Sequence, residues 1–190
     1  MSAKAEITGV WNALRICGWV AVAALLMLPL VAMQFTGEVN WTAGDFIVAG
    51  VILGSAGLGT EFLVRQSSSN AYRIGAVLAV VTIFATIWSN LAVGMIGEGA
   101  NTYNLLFFGV VLLALIGMIV ALFRPAGMAL AMLVTAIAHA AVSAAGMTMD
   151  VRGGMVSLTF AGLWLIAAAL FWNAAREQAG AQTPRAGDRL

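Results

Sequence analysis

Long apolar segments alternate with short polar ones along the whole chain. The apolar segments are residues 16–35, 45–64, 74–97, 105–123, 126–146 and 155–171. A helix needs about 20 mainly apolar residues to cross the ~30 Å hydrocarbon core of a bilayer. Strands of a membrane barrel are about half as long and alternate apolar with polar residues, which these segments do not. The pattern therefore predicts an all-α polytopic membrane protein with six transmembrane helices.

The connections between these segments are too short to hold a soluble domain. They are residues 36–44, 65–73, 98–104, 124–125 and 147–154. We therefore predict one six-helix transmembrane domain, residues 16–176, built from three antiparallel hairpins. Residues 1–15 carry apolar side chains on one helical face, which predicts an interfacial lead-in. Residues 177–190 are mainly polar and are predicted to form a flexible cytoplasmic tail.

The basic residues predict the orientation of the chain. With the N-terminus in the cytoplasm, the inner side holds eight of the nine: Lys4, Arg15, Arg65, Arg73, Arg124, Arg176, Arg185 and Arg189. Only Arg152 falls on the outer side. Cytoplasmic loops of membrane proteins carry an excess of Lys and Arg, so both termini are predicted to be cytoplasmic and the three hairpins to turn outward. The outer turns then hold the acidic residues Glu38, Asp45, Glu98 and Asp150.

Composition excludes several classes of protein. The chain is 62% hydrophobic and only 9% charged, whereas soluble domains carry roughly 25% charged residues. A soluble enzyme, a secreted disulfide scaffold and a disordered segment are all incompatible with these values. Lys+Arg 9 against Asp+Glu 8 leaves no basic surface for nucleic acid. The predicted environment is a lipid bilayer, and the first span is expected to be retained rather than cleaved as a signal peptide.

The second span carries small residues and a carboxylate on one helical face. Gly50, Gly54, Gly57 and Glu61 follow one another at spacings of four, three and four. The glycines predict close packing of a neighbouring helix or self-association, with a backbone-lined pathway as the alternative. For Glu61 we expect either an ion pair with Arg65, four residues on, or an ion-coupling carboxylate.

The third and fifth spans carry polar stripes at membrane depth. Thr86 and Asn90 lie on one face of the third span, and Thr135, His139 and Ser143 on one face of the fifth. Asn90 and His139 are predicted at similar depth in the outer half of the bilayer. Polar groups at this depth face the bundle interior, where they form interhelical hydrogen bonds or a ligand or proton site. For these five residues, interhelical hydrogen bonding and a ligand or proton site are both expected possibilities.

Two tryptophans lie near the predicted middle of the membrane. Interfacial belts account for most tryptophans in membrane proteins, but Trp88 and Trp164 fall away from either interface. They are expected to be large core residues or the apolar walls of a cavity beside Asn90 and His139.

The residues needed for several kinds of catalysis are missing. One His and one Cys exclude an intrachain bis-His haem and a Cys/His zinc site, and Cys17 is expected to be a buried small residue. Gly54-Ser55-Ala56-Gly57 differs from the Gly-x-Ser-Gly pattern of rhomboid proteases and lies in the middle of a predicted helix. We therefore expect a non-enzymatic protein without a metal or cofactor.

Three sequence stretches resemble a group of small bacterial inner-membrane proteins of no known activity. They are QFTGEVNWTAGDF at 34–46, GLGTEF at 57–62 and WSNLAVGMIG at 88–97. The resemblance implies a six-helix protein of the inner membrane of a Gram-negative bacterium, and it supplies no substrate or site residues.

These features support three hypotheses about function. The first is binding or passage of a small solute or ion through an outward-facing polar cavity near Asn90 and His139. The second is an accessory or assembly subunit that packs against a larger membrane complex through the glycine face of the second span. The third is a binder of lipid or another hydrophobic ligand, reached through a lateral opening.

Overall fold

All the regular secondary structure in the described part of the chain is helical. The structure, a computed structural model, describes residues 3–97 and 101–182, without the side chains of 3–8, 10 and 182. It contains the helices α1 (Ala3–Ala32), α2 (Ala43–Val64), α3 (Asn70–Ala92), α4 (Leu105–Val120), α5 (Pro125–Gly146) and α6 (Val151–Gln182). A short 3-10 turn, Thr102–Asn104, leads into α4. The predicted positions of Lys4, Glu98, Arg185 and Arg189 lie outside the described side chains.

Each of the six helical segments is long and apolar enough to cross a membrane. This confirms the prediction of an all-α, multi-pass integral membrane protein. Many of the exposed side chains on these helices are large and apolar, and they would contact lipid. Cys17 is one correction, because it is exposed and not buried as expected.

The largest differences from the predicted helix ends occur at three places. The third span was expected to run to residue 97, but α3 ends at Ala92 because the chain turns at Gly94, whose φ is 81°. Such a positive φ suits glycine and ends a helix. The predicted lead-in is continuous with α1, which begins at Ala3. Helix α6 continues to Gln182, so the first residues of the predicted tail are helical.

The chain divides into two compact units, Met1–Phe62 and Leu63–Leu190. In the second unit, α6 packs against α5 and α3, and α4 packs against the same two helices. The four helices therefore form a closed ring. Helices α3 and α5 lie diagonally across this ring, so their buried faces point towards the same central axis.

The α3–α6 bundle has two chemically different ends. At one, which we call the Glu177 end, Ser69 Oγ donates to Glu177 at 2.7 Å and the hydroxyl of Tyr72 donates to the carbonyl of Phe123 at 2.8 Å. At the other, the Asp150 end, the segment 93–97 meets the start of α6. Three arginines belong to the Glu177 end by their place in the helices: Arg73, Arg124 and Arg176. Arg152 belongs to the Asp150 end.

The first unit consists of α1 and α2, which touch along one stripe. A Cβ placed on Gly57 would lie 3.0 Å from Cη2 of Trp19, so the indole ring lies directly over this glycine. Further along, the nearest atom to a Cβ on Gly50 would be Leu26 Cδ2 at 4.0 Å. The absence of side chains on α2 at these positions lets α1 approach closely.

Candidate functional site

His139 lies at the centre of a hydrogen-bonded cluster in the α3–α6 bundle. Its side chain is fully buried on α5, and its Nδ1 accepts a hydrogen bond from Nε1 of Trp164 at 3.3 Å. Indole N–H groups only donate, so Nδ1 carries no proton. The proton of the neutral ring is therefore on Nε2, which donates to Oγ of Ser157 at 3.3 Å.

The cluster continues from α6 back to α5. Oγ of Ser157 lies 2.7 Å from Oγ of Ser143, one helical turn from His139. Since Ser157 accepts from the imidazole, its own hydroxyl is free to donate to Ser143, and the donors run from Trp164 through His139 and Ser157. Aromatic rings enclose the imidazole, with Phe160 stacked at 5.8 Å and Phe107 at 5.3 Å between centroids. Both ring nitrogens are therefore used within the chain.

A second polar cluster surrounds Asn90 in the last turn of α3. The Asn90 side chain is only 6% exposed, and its Nδ2 donates to the backbone carbonyl of Asn104 at 2.8 Å. The side chain of Asn104 in turn accepts from the amides of Met95 at 3.1 Å and Ile96 at 2.9 Å. Its Nδ2 donates to the carbonyl of Ile96 at 3.2 Å. These bonds fix the segment that follows α3.

One buried atom of this cluster lacks a hydrogen-bond partner among the described residues: Oδ1 of Asn90. Exchanging Oδ1 and Nδ2 of Asn90 does not supply the missing hydrogen-bond partner, because Oδ1 would then face the carbonyl oxygen of Asn104. Buried polar atoms are nearly always paired, and an unpaired one costs about 1–3 kcal/mol. This unpaired acceptor is therefore the feature of the bundle that most directly suggests a ligand.

Three buried threonines near the bundle axis use their hydroxyl protons within their own helices. Thr82 donates to the carbonyl of Leu78 at 2.7 Å, Thr86 to that of Thr82 at 2.8 Å, and Thr135 to that of Ala131 at 2.8 Å. This local bonding is common for threonine in helices. Each hydroxyl oxygen still has lone pairs that can accept a hydrogen bond.

The structure distributes the predicted site residues over two clusters. His139, Ser143 and Trp164 belong to the first, and Asn90 to the second. Phe107 adjoins both, because its ring contacts His139 and also packs in the apolar core with Ile96. Trp88 is half-buried and stacks on Phe84 of its own helix, with ring centroids 5.7 Å apart.

Two residues that hold these clusters together were not among the predicted site residues. Ser157 lies seven residues before Trp164 on α6, and this spacing of two turns places both on one helical face. Asn104 lies between the predicted spans, where a polar residue is expected and does not indicate a site. Its function becomes visible only in the fold, where its carbonyl accepts from Asn90 and its side chain accepts from Met95 and Ile96.

Glu61 has an ion-pair partner on the neighbouring helix of the first unit. Nε of Arg15 donates to one carboxylate oxygen at 2.8 Å, and a terminal nitrogen of the same guanidinium contacts the other oxygen. The Glu61 side chain is 16% exposed and that of Arg15 46%. This two-pronged geometry is the strongest form of a carboxylate–guanidinium contact. Glu61 therefore links α2 to α1.

The glycine face of α2 is partly used inside the chain. Trp19 covers Gly57, and Leu26 lies beside Gly50, whereas no described atom would lie within 4 Å of a Cβ on Gly54. Self-association through the whole face would therefore compete with α1 at Gly57. Close packing within the chain, the first interpretation of this stripe, accounts for the glycine that is most tightly covered.

Asp150 joins the two loops at its end of the bundle. Its Oδ1 accepts from the amide of Gly153 at 3.0 Å, and its Oδ2 accepts from that of Gly97 at 2.9 Å. These backbone hydrogen bonds, first that of Gly153 and then that of Gly97, lower the pKa of the Asp150 carboxyl, and the nearby Arg152 adds to the effect. The ionised carboxylate thus ties the start of α6 to the segment after α3.

Acid should release this contact. Because the pKa of Asp150 is lowered in the folded protein, its stabilising effect is present above the ordinary value of 3.8 and is lost as the pH falls through the folded value. We expect Asp150→Asn to have a lower Tm than the unchanged protein at neutral pH, and the difference to shrink in acid. Thermal unfolding in detergent at a series of pH values measures this. Glu38→Gln, at an exposed acid of the first unit, is the control and should leave the profile unchanged.

The fold therefore defines the class as an integral membrane protein with six candidate spans in its described residues. Comparisons with protein-family models, with curated proteins and with solved structures gave no match.

Proposed function

We propose that the protein is a non-enzymatic membrane protein that binds, or passes, a small solute or ion inside the α3–α6 bundle. The observation that carries this proposal is the buried, unpaired Oδ1 of Asn90. Asn90 lies two residues before the end of α3, so the path from the Asp150 end is short. Thr86, one turn deeper on the same face, offers a second acceptor. No metal or cofactor forms part of the proposal.

In this proposal His139 stabilises the bundle and does not contact the solute. Its two nitrogens are already bonded to Trp164 and Ser157. A second proton on the ring would place the N–H of Nδ1 against the indole N–H, which is repulsive. His139, Ser143 and Trp164 therefore hold α5 and α6 together beside the site and leave solute contact to Asn90.

We propose the orientation from the distribution of charge. Arg73, Arg124 and Arg176 belong to the Glu177 end of the bundle by their helix positions, and Arg152 to the Asp150 end. Because the cytoplasmic side of membrane proteins carries an excess of basic residues, this distribution favours the Glu177 end inside and the site towards the outside. Both termini are then cytoplasmic. A bacterial inner membrane is the location suggested by the resemblance of the sequence.

Cysteine labelling tests whether water-soluble molecules reach Asn90. In a Cys17→Ser background, the full chain carries Asn90→Cys or, as the control, Ala76→Cys, which is equally buried on the same helix towards the Glu177 end. We expect a small thiosulfonate reagent to modify position 90 about tenfold faster or more, because a thiol without a water path reacts only on local opening.

One result of the labelling experiment would contradict the proposed solute site. Equal slow reaction at both positions in the folded protein, with full reaction in SDS, would refute a solute site at Asn90. If Asn90→Cys does not give a monodisperse protein, Thr86→Cys takes its place, since Cys is close to Thr in size and removes only a bond within α3.

A further inference from the structure

We infer that the site at Asn90 takes a small monovalent cation of the ammonium type, a ligand that brings hydrogen-bond donors and a positive charge. This inference rests on the proposed function and specifies its ligand. It follows from the hydrogen-bonding capacity left in the bundle interior, the charge of the groups there and the position of Asn90 at the end of α3.

The polar groups on the α3 side of the bundle axis have several acceptors left, while most of their donors are used. Nδ2 of Asn90 donates to the carbonyl of Asn104, and the hydroxyls of Thr82 and Thr86 donate to carbonyls of α3. On α5, Thr135 does the same. What remains are the amide oxygen of Asn90, hydroxyl lone pairs and the second N–H of Asn90 Nδ2. An anion needs several donors and finds only that one N–H in this set, whereas an ammonium ion offers up to four N–H groups to the acceptors.

The acceptors are neutral, which favours a single positive charge. Divalent cations such as Ca²⁺ take most of their ligands from carboxylates. In the described residues, no group of three His, Cys, Asp or Glu side chains could hold a metal ion. The described carboxylate that contacts the segment after α3 is Asp150, and its oxygens already accept from Gly97 and Gly153. A monovalent ion therefore matches the set better than a divalent one.

The end of α3, where Asn90 lies, also attracts a cation electrostatically. It lies in the last turn of α3, which ends at Ala92. The C-terminal end of a helix carries a partial negative charge, equivalent to about −0.5 elementary charge, and stabilises cations within the last turn. Arg152 is the described basic residue at this end, and its side chain is exposed. The unpaired oxygen thus lies where the backbone itself attracts a positive ion.

Thermal stability of the full chain in detergent tests this inference. At constant ionic strength, chloride salts of ammonium, methylammonium, sodium and choline are compared, with ammonium acetate as the anion control. We expect saturating ammonium to raise the Tm by about 5 °C relative to choline, because a ligand that binds only the folded state stabilises it. Asn90→Ala should abolish the shift, and Asn101→Ala, at a neighbouring asparagine of the loop, should keep it.

The outcomes separate this inference from the proposed function. If position 90 is labelled but all cations act equally, the site exists and its ligand is not a cation. A shift that follows the anion, or that persists in Asn90→Ala, also overturns the inference. Should Asn90→Ala fail to fold, Asn90→Asp decides: the added charge must lower the ammonium concentration at half-effect, and an unchanged or higher value refutes the cation.

Discussion

Replacing His139 with alanine is expected to lower the free energy of unfolding of the α3–α6 bundle by about 4 kcal/mol. Removing a large buried ring leaves a cavity, which costs about 3–5 kcal/mol for aromatic side chains. The indole N–H of Trp164 in addition loses its acceptor while it stays buried. Ile137→Ala is the matched control, because Ile137 is 62% exposed on the same helix. Unfolding by SDS in mixed micelles measures both variants.

A double-mutant cycle separates the hydrogen bond from the cavity. His139→Leu keeps most of the volume and leaves Trp164 without an acceptor, and Trp164→Phe removes the donor instead. The double variant should be more stable than the sum of the single losses by about 1 kcal/mol, the size of a buried hydrogen bond between membrane helices. Strictly additive losses would contradict the pairing of these two side chains.

The same variant distinguishes support of the fold from contact with solute. Since both nitrogens of His139 are bonded to Trp164 and Ser157, His139→Leu should lower the Tm but keep the ammonium-dependent shift. Loss of that shift in a protein of unchanged stability would instead indicate that His139 contacts the ligand. This is the second interpretation of the polar stripes, a ligand or proton site.

The span positions could be predicted because they depend on local composition. Twenty apolar residues need a helix in a bilayer whatever surrounds them, since each backbone polar group must be bonded within the segment. The end of α3 depends on more than composition, because the apolar sequence continues to residue 97 while the chain turns at Gly94. Asn104 and Ile96 fix that turn through contacts that hydropathy does not record.

For the polar residues, the sequence predicted the helical face on which each lies but not its hydrogen-bond partner. Helical spacing correctly placed Thr135, His139 and Ser143 together in the interior, where all three are fully buried. It could not identify Trp164 as the donor to His139, because that contact depends on how α6 is placed against α5. For Glu61 the spacing favoured Arg65, whereas in the structure Arg15 of α1 also donates a hydrogen bond to the Glu61 carboxylate.

Replacing Asn104 with alanine should have the second large effect, a loss of about 3 kcal/mol in the free energy of unfolding. The side chain is 4% exposed and satisfies the amides of Met95 and Ile96 and the carbonyl of Ile96. Its removal leaves the two amides buried without that partner, at about 1–3 kcal/mol each before relaxation, while the carbonyl of Ile96 keeps its bond from Nδ2 of Asn101. Asn101→Ala is the matched control in the same loop, and we expect it to cost about 1 kcal/mol.

This substitution also tests how the site at Asn90 is built. The backbone carbonyl of Asn104 holds Nδ2 of Asn90, and the Asn104 side chain fixes the segment that contains Met95 and Ile96. When that segment loosens, the amide of Asn90 is free to rotate and its oxygen no longer points in one direction. Asn104→Ala should therefore abolish the ammonium-dependent shift in Tm although Asn90 is intact. A variant that loses stability but keeps the full shift would show that Asn90 alone makes the site, without Met95, Ile96 and Asn104 beside it.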